Sequence, residues 1–190
     1  AIGGIASFQA YTAGFSLKYY GLSGGTTTPF TQQKVNKIRT QGIQIMVQNQ
    51  TYFDVAKFGI PNSHLQLIGI KLAYDIKKRI YLAGEASFAY EGKSGGYAHG
   101  LFGLGIKSNP FFKEKVTTFV EFAAGVSGGG RVDSGEGVLL RPTVGLNYLA
   151  NKELSFHVSG GQMWSPFGNV NATNLTIGLA YGLSILNSKK

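Results

Sequence analysis

From Leu175 to Ile185 the chain alternates without a break. Leu175, Ile177, Leu179, Tyr181, Leu183 and Ile185 take every second position, with Thr176, Gly178, Ala180, Gly182 and Ser184 between them. A strand turns successive side chains to opposite faces, so this run is a sheet with one broad apolar face and one small, polar face. A soluble sandwich or lipocalin-type barrel would dot its solvent face with Lys and Glu. Neither face of this run carries any.

The asymmetry recurs along the chain. Ile43, Ile45 and Val47 oppose Gln44, Met46 and Gln48 within 38–50, and Ile68, Ile70, Leu72 and Tyr74 oppose Leu67, Gly69, Lys71 and Ala73. Ile80, Leu82, Ala86, Phe88 and Tyr90 oppose Tyr81, Glu85, Ser87 and Glu91, and Phe102, Leu104 and Ile106 oppose His99, Gly103, Gly105 and Lys107. Val116, Val120, Phe122 and Val126 stand against Thr117, Glu121 and Gly125. Val138, Leu140, Val144, Leu146 and Tyr148 stand against Arg141, Thr143, Gly145 and Asn147. Every ionisable group within the strand centres falls on the small face: Lys18, Lys71, Glu85, His99, Lys107, Glu121, Arg141 and His157. A Lys or Arg facing lipid at mid-depth costs roughly 2 to 4 kcal/mol, and the pattern avoids that cost throughout. The fold expected is all-β, an antiparallel transmembrane β-barrel with a lipid-facing apolar exterior and a polar, filled interior.

Composition agrees. Only 14% of the 190 residues are charged, against about 25% in soluble domains. No run of about 18 apolar residues offers a helical span. Cysteine is absent, so disulfides and thiolate metal sites are excluded. The chain opens at Ala1 without a basic n-region and apolar h-region, as expected of a mature exported form. The net charge of +9 is spread over turns rather than gathered on a stripe, which argues against nucleic acid as a partner.

Nine alternating segments are legible, including Tyr11, Ala13, Phe15, Leu17 and Tyr19 against Thr12, Gly14, Ser16, Lys18 and Tyr20. Single-chain bacterial barrels have an even strand number. The expectation is about eight strands in 38–190, with 1–37 an N-terminal extension or a first strand plus linker; ten strands result if 1–10 or 51–60 hides another. Short turns at 75–79 and 150–153 are expected in the periplasm, and loops at 51–63, 91–97, 127–137 and 164–172 outside. Tyr74 and Tyr148 then reach the inner interface, and Phe88, Tyr90 and Trp164 the outer one. The basic turns around Lys77, Lys78, Arg79, Lys113, Lys115 and Lys152 then lie beside anionic inner-leaflet headgroups.

An eight-stranded interior is just wide enough for side chains to fill. Lys71, Glu85, Glu121, Arg141 and His157 are therefore expected to form a buried, mutually neutralising polar network. The run Gly128-Gly129-Gly130-Arg131 lacks the spacing and following helix of a phosphate-cradling loop and reads as a flexible outer loop. Three scattered His offer no metal-ligand set, and no cofactor is implied.

His157 and Ser159 share one strand face, so His157 is within reach of activating a serine nucleophile. With Pro166 and Gly168, this segment resembles the lipid A 3-O-deacylase family of outer-membrane barrels. Those carry His-x-Ser-Asn on the penultimate strand, followed by a Pro-Asn-x-Gly loop and an acid. The match covers about a sixth of the chain. Gly160 and Phe167 replace the family's two Asn, and no Asp or Glu follows Glu153, so only Glu85 or Glu121 would supply the acid. The resemblance implies esterase activity on lipid A, with His157 as base and Ser159 as nucleophile.

The function expected first is a structural or interaction subunit in the outer membrane of a Gram-negative bacterium, without catalysis. The deacylase-like hydrolase is the alternative and a small pore the next. Its surroundings would be outer-membrane lipid and lipopolysaccharide, with other outer-membrane or periplasmic subunits as protein partners.

Overall fold

Alternation of this kind is satisfied when each strand's backbone pairs on both sides. The computed structural model, which describes residues 39–151 and 153–187, closes that pairing into a ring. Its strands are β1 (Arg39–Val55), β2 (Ser63–Asp75), β3 (Ile80–Glu91), β4 (Ala98–Lys107), β5 (Val116–Gly128), β6 (Val138–Leu149), β7 (Leu154–Trp164) and β8 (Asn171–Asn187). Each pairs antiparallel with the next, and β8 pairs with β1 from Arg39↔Asn187 to Phe53↔Thr173. Among the described residues no strand is left with a free edge, as a backbone surrounded by hydrocarbon demands.

The barrel therefore closes with eight strands. Residues 51–55 continue β1 past a register shift between Tyr52 and Val55 instead of forming a strand of their own. The extension at 1–37, with Lys18 and its alternating segment, lies outside the described residues.

One row of paired residues runs Asp75, Tyr81, Gly105, Glu121, Thr143, Gly161, Asn174 and Tyr52. It starts level with the beginning of β1, where Ile43 pairs with Tyr74, and ends about ten residues further up the same strand. A stagger of that size over eight strands sets a tilt of roughly 40°. The tilted barrel has a turn end, at 76–79, 108–115 and 150–153, and a loop end, at 56–62, 92–97, 129–137 and 165–170.

Short polar side chains and backbone bonds fix the turns. Asn151 Oδ1 accepts from the amides of Glu153 and Leu154 at 2.9 and 2.8 Å, closing the β6–β7 turn. Ile76 and Lys77 both donate to the Ile80 carbonyl at 3.0 Å.

The loops interlock. Lys57 and Val132 form an isolated bridge, Asp133 N donates to Ala56 O, Asn169 N donates to Asp133 O, and Ser165 Oγ donates to Ser134 O at 2.7 Å. Gly129 and Gly130 of the glycine run take part in this packing. Gly129 and Gly130 have positive φ, and a Cβ on either would lie 2.2 Å from Gly96 O or 2.4 Å from Ser94 O. Only glycine allows so close a backbone approach.

Outside, Val47, Ile70, Leu72, Phe102, Leu104, Val120, Val144, Val158 and Ile177 are exposed over the whole circumference. An apolar belt of that extent is stable against lipid and not against water. Ile70→Arg is expected to destabilise the barrel by about 2 to 4 kcal/mol in urea unfolding from phospholipid vesicles, where an exposed site on a soluble sheet would shift little.

Candidate functional site

The inward positions of each strand stack into layers. On β6, moving away from the turn end, they read Asn147, Gly145, Thr143, Arg141 and Leu139; on β3 they read Tyr81, Ala83, Glu85 and Ser87. Register alone thus sorts the lumen into an aromatic layer, a charged layer and an apolar plug.

The charged layer is tightly paired. Arg141 grips Glu85 with two parallel bonds, Nη1 to Oε1 at 2.8 Å and Nη2 to Oε2 at 2.6 Å. Glu85 Oε1 also accepts from Gln50 Nε2 at 2.6 Å and lies 3.2 Å from His99 Nε2. Arg141 Nη1 donates to the Tyr52 hydroxyl at 2.9 Å, which donates to Gln50 Oε1 at 3.1 Å. Lys71 Nζ meets Glu121 Oε1 at 2.7 Å, with both side chains almost wholly buried. Two cations thus face two carboxylates. In so dry a setting neither sign would be tolerated alone.

Beyond this layer, toward the loop end, the lumen is apolar. Tyr52, Val55, Leu65, Leu67, Tyr97, Leu101, Leu139, Met163 and Val170 form one buried cluster, with Val132 of the 129–137 loop packed into it. The interior is therefore filled, with polar groups in its central layer and a largely hydrocarbon plug toward the loop end.

Toward the turn end, Tyr81 and Phe119 cross the lumen above inward glycines. A Cβ on Gly105 would lie 2.2 Å from the Tyr81 ring, and one on Gly145 2.6 Å from Phe119. His157 stacks on Phe119 with ring centroids 4.9 Å apart. Its Nδ1 donates to Asn147 Oδ1 at 2.8 Å, which leaves Nε2 as the acceptor for the Ser159 hydroxyl at 3.1 Å. The sequence puts His157 and Ser159 on one strand face, and the two are in hydrogen-bond contact. It expects the third partner to be Glu85 or Glu121, and the structure corrects this to Asn147, the residue paired with His157 across the β6–β7 ladder.

Ser159, His157 and Asn147 are thus joined by hydrogen bonds. Ser159 is 5% exposed, and the cavity that reaches His157 measures about 20 Å³ and does not touch Ser159. That volume holds about one water and no acyl ester. Near the turn-end mouth, Lys107 Nζ bonds both Asp75 oxygens at 2.6 and 2.7 Å. Among the described residues no group of His, Cys, Asp or Glu has the geometry to hold a metal ion.

The aromatic residues singled out by alternation point outward. Tyr74 and Tyr148 stand near the turn end, and Phe88, Tyr90 and a half-buried Trp164 near the loop end. At the loop end Lys57 is buried, its ammonium donating to Ser63 Oγ at 2.6 Å, Gly92 O at 2.5 Å and His64 O at 3.3 Å. Burial, reinforced by the Lys93 charge, holds it below the ordinary lysine pKa. The sequence gives no signal for this tether, which joins loops distant in the chain.

The same fold occurs in known proteins. The N-terminal β-barrel domain of Pseudomonas aeruginosa OprF is similar over 76% of this chain and 100% of that one, at 12% identity and a TM-score of 0.55. A de novo designed transmembrane β-barrel is similar over 78% of this chain and 98% of that one, at 12% identity and a TM-score of 0.50. No protein-family model matches the sequence, and no curated protein matches it. The chain has the fold of a transmembrane β-barrel.

Two outcomes follow from the lumen. Arg141→Ala is expected to cost about 3 to 5 kcal/mol, because it strands Glu85 in a dry interior, and Glu85→Gln with Arg141→Met should restore most of that loss in urea unfolding. Ser159→Ala should leave the lipid A mass spectrum of expressing cells identical to that produced by the unmodified chain, since the hydroxyl is buried and the cavity beside His157 holds about one water.

Proposed function

We propose that this chain is an outer-membrane β-barrel of a Gram-negative bacterium that acts as a structural or interaction subunit, with its interlocked loops facing outward and no catalysis of its own. The filled lumen carries this reading. Among the described residues a bidentate ion pair, a second buried pair and an apolar plug fill the lumen beneath interlocked loops, which supports a role without conduction or catalysis. What remains for recognition is the outer surface of the loops and the belt beneath them.

Likeness to the OprF barrel domain supports the location through fold alone. The aromatic levels support the same orientation: Phe88, Tyr90 and Trp164 lie at the outer interface and Tyr74 and Tyr148 at the inner one, and rings with a polar edge favour such levels. Lipopolysaccharide and phospholipid surround the belt, and the basic turn Lys77-Lys78-Arg79 meets the inner headgroups. On the loop surface Phe58 is 58% exposed and Phe167 60% exposed, both beside the 129–137 loop. Aromatic rings on a rigid support are favourable anchors for a protein partner.

The test joins membrane fractionation to photo-crosslinking from position 58 on intact cells. The chain should sediment with the outer membrane and crosslink to a discrete partner, and Phe167→Ser should weaken that crosslink without reducing insertion. Recovery in the soluble fraction, or a crosslinking pattern indifferent to Phe167, would refute the reading.

A further inference from the structure

The apolar belt is interrupted on one side. Along the outward face of β1, Ile45 and Val47 are followed by Asn49 and Thr51 before the belt resumes at Phe53; on β7, Gln162 lies between Gly160 and Trp164. Gln66 of β2 pairs with Thr51, and Thr173 of β8 pairs with both Phe53 and Gln162. These amides and hydroxyls form one outward seam across β2, β1, β8 and β7, lying below the level of Phe53 and Trp164. The opposite wall shows nothing similar: Phe122, Ala124 and Val126 on β5 and Val138, Leu140 and Val144 on β6 stay apolar to the loop end.

The seam is partly bonded to itself. Asn49 Nδ2 donates to the Tyr90 hydroxyl at 2.6 Å, and that hydroxyl donates to Gln66 Oε1 at 2.5 Å. Gln162 Nε2 donates to Asn171 Oδ1 at 2.6 Å, and Thr173 Oγ1 donates to Gln162 Oε1 at 3.1 Å. Asn49 Oδ1 and Gln66 Nε2 make no hydrogen bond among the described residues. In hydrocarbon such groups are costly unless something polar meets them.

Directly above, at Tyr90, a cleft of about 660 Å³ opens between the 56–62 and 92–97 loops. Its walls include His64, Glu91 and Lys93, and the Lys57 ammonium is bonded to two of its backbone carbonyls. A cleft that carries Lys93, His64 and Glu91 on largely apolar walls stands over an amide seam, which stands over hydrocarbon. That is the profile of a glycolipid, with charged sugars above, acyl amides and hydroxyls next, and chains below. A second barrel packed against the wall would cover the seam and leave the cleft unfilled.

We propose that this face binds one outer-leaflet glycolipid of the lipid A type, with amide-linked hydroxyacyl chains against Asn49, Gln66 and Gln162 and its anionic sugar in the cleft beside Tyr90 and Lys93. The proposal rests on the outer-membrane reading for its physiological setting, but its test does not depend on where cells place the chain.

Trp164 is the sole tryptophan and borders the seam. The full chain is refolded into phosphatidylethanolamine–phosphatidylglycerol vesicles, and amide-linked lipid A is titrated in while Trp164 emission is read. The response should saturate near one glycolipid per chain. With Asn49→Leu and Gln162→Leu combined, the midpoint should rise about tenfold, the change expected from losing two hydrogen bonds of ordinary net strength. These substitutions replace polar groups with apolar ones on a lipid-facing wall, so folding, checked by heat-modified gel mobility, is retained. Ala124→Leu on the opposite wall should leave the midpoint unchanged. An equal response to added phosphatidylglycerol, an unchanged midpoint in the double variant, or a dimer crosslinked through position 49 would overturn the proposal. A chain found outside the outer membrane on fractionation would instead refute the location alone.

Discussion

A backbone surrounded by hydrocarbon has no water to bond, so each N–H and C=O needs a partner within the chain. The ladder between β1 and β8, which runs over most of both strands, meets that demand by removing the last two edges. The rest of the molecule depends on this closure. Because the ring is closed and its side chains alternate, one set is committed to lipid and the other to a narrow lumen that has to be packed.

Packing that lumen decides the chemistry the barrel can perform. The inward residues of β3 and β6 bring Glu85 and Arg141 together across the interior, while β2 and β5 bring Lys71 to Glu121. The resulting charge balance is local, and burial leaves each pair without alternatives. Above it Leu65, Leu139 and Met163 pack into one buried apolar cluster. The same packing holds the His157–Ser159 pair: the histidine stacks on Phe119, bonds Asn147 and contacts a serine that is itself buried.

Above the filled interior the loops interlock. The loops are held by backbone contacts between distant segments, so their exposed rings stand on a firm base. The belt below them has two unlike walls, one uniformly apolar and one bearing Asn49, Gln66 and Gln162. This inequality gives the barrel a distinct side toward its lipid surroundings, which a uniform hydrocarbon belt would lack.

Much of this is written in the sequence because two-residue periodicity reports side-chain direction without knowledge of neighbours. The strands from Ser63 to Leu149, the inward placement of Lys71, Glu85, Glu121, Arg141 and His157, and the outward placement of Tyr74, Phe88, Tyr90 and Tyr148 follow from alternation alone. The end of β1 was not legible, because Thr51-Tyr52-Phe53-Asp54 blurs the alternation where the register shifts, and with it Tyr52 and its bond to Arg141 were hidden. Asn147 was visible as an inward residue, but only the β6–β7 register makes it the partner of His157. The apolar plug, the Lys57 tether and the polar seam depend on contacts between segments far apart in the chain. Which solvent each face meets can be read one residue at a time, since that is a local property of a strand. Tertiary structure decided which inward groups meet, how the lumen is filled and where the belt turns polar, since these depend on stagger and closure around the whole ring.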